Sequence, residues 1–184
     1  MPALIMPYGG KYPRIAPDAF IAPTAVIIGD VEIGPQASIW FGCVLRGDTN
    51  SIRVGANTNI QDGTIVHCNH LPAGGDPEAP GYRTTIGAGI TVGHMAMLHA
   101  CTLEDGCFIG MRSAVIDGAV VESRGMVAAG AMITPFKRVR EGELWAGSPA
   151  KLMRGLTAEE IAGFAYSAEH YARLAASYGP NRSC

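Results

Sequence analysis

Aliphatic residues return at every sixth position along most of this chain, and no other feature limits its possible folds so severely. They fall at Ile15, Ile21, Ile27, Ile33, Ile39 and Leu45, then at Val54, Ile60 and Val66, then at Ile86, Val92 and Leu98. A last run places Leu103, Ile109, Val115, Val121, Val127 and Ile133. A period of six matches neither the 3.6 of a helix nor the alternation of a long strand. It matches short strands separated by turns, three to a coil, whose periodic side chains stack inward as ladders. The reading is an all-β chain, a parallel β-helix of about six triangular coils. Glycine often follows the aliphatic residue directly, as at Gly34, Gly55, Gly87, Gly93 and Gly110.

The interruptions of the period divide the chain. Leu45 to Val54 and Val66 to Ile86 are longer than six residues, and Leu98 to Leu103 is one residue short. The segment 68–85, CNHLPAGGDPEAPGYRTT, is rich in glycine and proline and reads as a loop thrown out of the coil, where such folds place function. Residues 1–14 precede the repeats, which occupy 15–135. Residues 136–155 read as a connector and 156–179 as a C-terminal α-helix. The helix opens with a capping box, Thr157 and Glu160, and its apolar face carries Ile161, Phe164, Ala168, Tyr171, Leu174 and Tyr178.

Composition narrows the partners. With 184 residues and a net charge of −2, the chain has no basic field for nucleic acid or an anionic membrane. No apolar run reaches the length of a membrane span, and the N-terminus lacks a signal pattern, so a cytoplasmic protein is expected. Cys43, Cys68, Cys101, Cys107 and Cys184 form an odd set without a CxxC pair and read as small buried residues rather than disulfides.

The repeat also assigns side chains to walls. With the three walls labelled A, B and C, Leu45, Val66 and Leu98 share wall A, so Arg46, His67 and His99 follow them as one outward column. His67 and His99 are then neighbours on adjacent coils, about 4.8 Å apart along the backbone, a separation that lets two imidazoles converge on one metal. Ile60 and Val92 share wall C, which puts Gln61 and Asp62 below Gly93 and His94. His94 lies on another wall and completes a three-histidine site only if a second copy brings its wall C against this wall A. Three copies around a threefold axis give three such sites. Single histidines are ordinarily surface or hydrogen-bonded residues. His70 in the loop and His170 on the helix fit that description.

The stretches LRGD at 45–48, NIQDGTIVH at 59–67 and TVGHMAMLHAC at 91–101 resemble the gamma-class carbonic anhydrases and their bacterial relatives, over roughly residues 15–150. The resemblance implies a left-handed coil, a homotrimer, and CO2 and bicarbonate as substrate and product. It also implies His67, His94 and His99 as ligands of Zn2+ or Fe2+, with His94 from the neighbouring subunit. Gln61 is then the residue that orients water or CO2, Arg46, Asp48 and Asp62 a charged network across the interface, and Tyr166 a helix residue over the pocket. Thr49 departs from the pattern, since the family's active archetype carries a glutamate after the RGD-like element. The archetype's loop also carries a proton-shuttling glutamate, where this loop has Asp76, Glu78 and His70. Two further readings stand beside the hydratase. One is an acyltransferase using coenzyme A or an acyl carrier with one histidine as general base, since GSPAK at 147–151 fits both groups. The other is a metal-bound trimer without CO2 hydration.

Overall fold

In a computed structural model that describes residues 2–76 and 79–178, the chain winds into a parallel β-helix flanked by one long helix. Glu78, Cys184 and the expected helix end at 179 lie outside the described residues. The periodic residues line the inside of the three walls, and all except Ile15 are buried. Rung pairs such as Leu45 with Val66, Val66 with Leu98, and Ile60 with Val92 are in parallel register, as the six-residue count requires. Small residues close the corners of the core, among them Ala37, Cys43, Cys68, Ala96, Cys101, Cys107 and Ala131.

Glycine after the aliphatic residue has a steric cause. A Cβ on Gly110 would lie 2.4 Å from the Ala129 nitrogen, and one on Gly55 would lie 2.5 Å from the Gly87 carbonyl carbon. At these corners one coil touches the backbone of the next and leaves no room for a side chain.

The coil is longer than the repeat suggests. Leu4–Met6 pairs with Val26–Ile28 and adds a rung to wall A at one end. At the other end the period does not stop at Pro135, because Val139 pairs with Val121 and Trp145 with Val127. Among the described residues each wall therefore has seven parallel rungs, and Ala150–Gly155 returns antiparallel on Glu143–Gly147 to finish wall C. The stretch 136–155, read as a connector, is largely strand. In the stretch 68–85, residues 84 and 85 already belong to the strand Thr84–Ile86.

The helix α1, Ala158–Ser177, is capped as its sequence foretells. Thr157 accepts from the Glu160 N–H, and Glu160 accepts from the Thr157 N–H. It lies along wall C. Phe164 stacks on Phe108 at 5.1 Å, and Ser167 accepts a hydrogen bond from Thr91. Further along, Tyr171 and Tyr178 meet Trp40 edge-on, and Phe20 completes that aromatic cluster. No helix among the described residues is long and apolar enough to cross a membrane.

Candidate metal centre

Arg46, His67 and His99 stand in one outward column on wall A, each directly above the last. The rings of His67 and His99 have centroids 5.2 Å apart. From the coil below His67, Asp48 places Oδ1 2.9 Å from its Nε2 and binds Arg46 through Oδ2 at 2.6 Å. Burial opposes ionisation of Asp48, but the bonds from His67 and Arg46 prevail and hold its carboxyl below the usual range. From the coil above, the Asp117 carboxylate meets Nδ1 of His99.

His94 occupies the corner between walls C and A, above Asp62, whose Oδ2 is 2.8 Å from His94 Nδ1. The other oxygen of Asp62 accepts from the Phe41 N–H at 3.2 Å. Each of the three histidines thus has one ring nitrogen against a carboxylate, Nε2 in His67 and Nδ1 in His94 and His99, the kind of contact that fixes the tautomer of metal-binding imidazoles. The residues present fit a divalent ion in donor type. Among the described residues no three His, Cys, Asp or Glu side chains of one chain converge on a metal position. His67 and His99 share wall A, whereas His94 stands at its corner with wall C.

Gln61 is buried on wall C and tied into a polar chain under the helix. Its Nε2 donates to Asn59 Oδ1 at 3.0 Å, Asn59 Nδ2 donates to Thr91 Oγ1 at 2.9 Å, and Thr91 donates to Ser167 Oγ at 3.0 Å. Tyr166 is exposed and stacks on His170 at 6.2 Å, away from His67, His94 and His99 of its own chain. Tyr171 is the tyrosine affected by this site, its phenol pushed up by burial and by the charge of Asp62. His70 is exposed in the loop. Cys68 and Cys101 point into the core, where burial raises both thiols, Cys101 to about 12. Asp117 was not foreseen from the sequence. The signal for it was present, since the coil carrying His99 is one residue short and the coil above supplies an outward acid opposite the gap.

Apolar surface borders both halves of the histidine set. On wall A, Leu4, Val26, Val44, Ile65, Met97, Ala114 and Met132 form an outward column beside the two histidines, and Leu4, Ile65, Met97 and Met132 are exposed. Beside His94, exposed Met95 and Met111 line a depression of about 520 Å³ with Arg112.

Comparison with known proteins adds the family. Residues 12–47 match the model described as bacterial transferase hexapeptide (six repeats). The chain is 49% identical over 168 residues to gamma carbonic anhydrase 1, mitochondrial, of Arabidopsis thaliana, covering 91% of this chain and 60% of that protein. It is 39% identical over 158 residues to a carbonic anhydrase of Geobacillus kaustophilus, covering 86% and 81%. This chain belongs to the gamma-class carbonic anhydrase-like family. It spans about 60% of the length of the plant relatives. Among solved structures, a hexapeptide transferase family protein from Anaplasma phagocytophilum superposes with a TM-score of 0.87 at 48% identity, covering 95% of this chain and 98% of that one. A Bacillus cereus protein described as a putative acetyltransferase does so with a TM-score of 0.89 at 34% identity, covering 97% and 98%. A left-handed winding goes with membership of this family.

Proposed function

We propose that this chain forms a homotrimer that hydrates CO2 to bicarbonate, with His67 and His99 of one copy and His94 of the next holding Zn2+ or Fe2+. The observation that carries the reading is the pairing of His67 with His99 in rung register, with a carboxylate on a nitrogen of each ring and of His94. The apolar borders of wall A and of the His94 corner support docking of copies there. Bound by three neutral imidazoles, the ion supplies the charge that lets water ionise near neutral pH.

The chain's own residues do the rest. Gln61, held by Asn59, orients water or CO2 at the pocket wall. Arg46 and Asp48 orient His67, and Asp62 orients His94. In a trimer, Asp62 of one copy also approaches Arg46 of the next, extending the charged network across the interface, and Tyr166 overhangs the pocket. Proton export is the slow step of this scheme. Thr49, at the position of the archetype's glutamate, donates its hydroxyl to the Cys68 carbonyl and carries no exchangeable acid proton. Asp76 and His70 remain on the loop as alternatives. A cytoplasmic location belongs to the same reading.

Substitution His94→Ala tests the shared site. It should empty the metal position while the coil keeps its circular-dichroism spectrum, and full metal occupancy in that variant would contradict the proposal. The descriptions of the solved neighbours as transferase and acetyltransferase keep the acyltransferase reading in view. Saturable coenzyme A binding by metal-free trimer would favour it.

A further inference from the structure

We propose that Asp117 is the positioning residue of the metal centre for His99, acting by accepting the Nδ1–H so that Nε2 is presented to the ion. The inference rests on the three-histidine reading and assigns within it a residue outside the motifs that define the site.

Wall A pairs His99 with Ile116, and wall B pairs Thr102 with Val120. Between these points the lower coil has Ala100 and Cys101, whereas the upper has Asp117, Gly118 and Ala119. The lower corner is one residue short of the regular spacing, and Asp117 stands at the start of the regular corner above it, over His99, with its carboxylate on the ring.

The corner holding Asp117 is itself fixed from both sides. Below, the Gly118 N–H donates to the Ala100 carbonyl at 2.7 Å. Above, the Phe136 N–H donates to the Asp117 carbonyl at 3.0 Å. Gly118 has φ +71° and lies against the Phe136 ring, where a Cβ would come within 2.5 Å of two ring carbons. A carboxylate on so constrained a backbone can hold an imidazole in one orientation. Asp48 approaches His67 from the opposite end of the column, so the two stacked histidines are clamped from below and from above. Losing an outer carboxylate of this kind typically weakens metal binding by about 10–100-fold.

The test compares parent, Asp117→Ala, Asp117→Asn and His99→Ala trimers. Zn2+ affinity is measured by competition with a chromophoric chelator, and the visible spectrum is recorded with Co2+ in place of zinc. Asp117→Ala should bind Zn2+ about 10–100-fold more weakly, with an altered Co2+ spectrum. Asp117→Asn, whose amide oxygen still accepts from Nδ1–H, should recover much of the affinity. Parent-like affinity and spectrum in Asp117→Ala would overturn the role of Asp117, and so would equal losses in Ala and Asn. If Asp117→Ala fails to assemble, Asp117→Asn and Asp117→Leu decide by the same contrast. If His99→Ala binds Zn2+ as tightly as the parent, the three-histidine reading itself fails, a result separable from the others.

Discussion

Replacing Asn59 by alanine should expose how Gln61 is held. Asn59 is almost fully buried and makes two side-chain links in the chain that ends at Ser167. Its loss leaves the backbone largely satisfied, because the Ile90 carbonyl keeps its bond from the Asn59 N–H at 2.8 Å. Thr91 keeps Ser167 as acceptor. The group left without a partner is the Gln61 Nε2, and a buried unsatisfied donor costs about 1–3 kcal/mol. The lost bond to Thr91 adds roughly 0.5–1.5 kcal/mol. In a Gln61→Ala background no amide remains to be orphaned, so only the smaller contribution should persist. The assay is urea unfolding of parent, Asn59→Ala, Gln61→Ala and the double variant at one fixed protein concentration, since assembly makes apparent stability concentration-dependent. The account expects a coupling of about 1–2 kcal/mol. It also expects CO2 hydration to fall in Asn59→Ala while metal content is unchanged. Equal destabilisation by Asn59→Ala in both backgrounds would refute the reasoning, because Gln61 would then not depend on Asn59.

Two other perturbations test the frame around the site. Gly110→Ala should strongly destabilise the coil, because its Cβ would meet only backbone atoms of the next coil, the nearest at 2.4 Å; a parent-like thermal midpoint would show that the coils can separate. The helix should be acid-sensitive through Glu160, whose carboxyl is brought to about 2 by the Arg154 guanidinium and the Thr157 N–H. A folded-state pKa below the unfolded one stabilises above the unfolded value and loses that contribution as pH falls through the folded value. The parent's helical circular dichroism should therefore exceed that of Glu160→Gln at pH 6, and the gap should close towards pH 2. A gap independent of pH would contradict this.

The walls were legible because burial imposes a strict period. Each inward residue at the six-residue repeat positions is aliphatic, and a shift of one position would turn it to solvent. That same strictness places His99 over His67, and the observed pairing is the counted one. The ends were less legible for two reasons. Leu4–Met6 is separated from the repeats by a turn containing Tyr8 and Lys11, so its strand has no periodic neighbour in sequence. Val139 is flanked by Lys137, Arg138 and Arg140, and a single buried aliphatic among outward charges gives no run to detect. Asp117 escaped because a second carboxylate one coil away is a three-dimensional neighbour, visible only after the short coil is aligned against the longer one.

Stopped-flow CO2 hydration distinguishes a metal-dependent hydratase limited by proton export from a metal-bound protein with no such activity. Protein loaded anaerobically with Zn2+, or separately with Fe2+, would be compared with metal-free protein over a range of buffer concentrations. Turnover should require metal and rise with buffer, because Thr49 offers no acid in place of the archetype's glutamate. Fully loaded protein that hydrates CO2 no faster than metal-free protein, with either ion and at every buffer concentration, would contradict it.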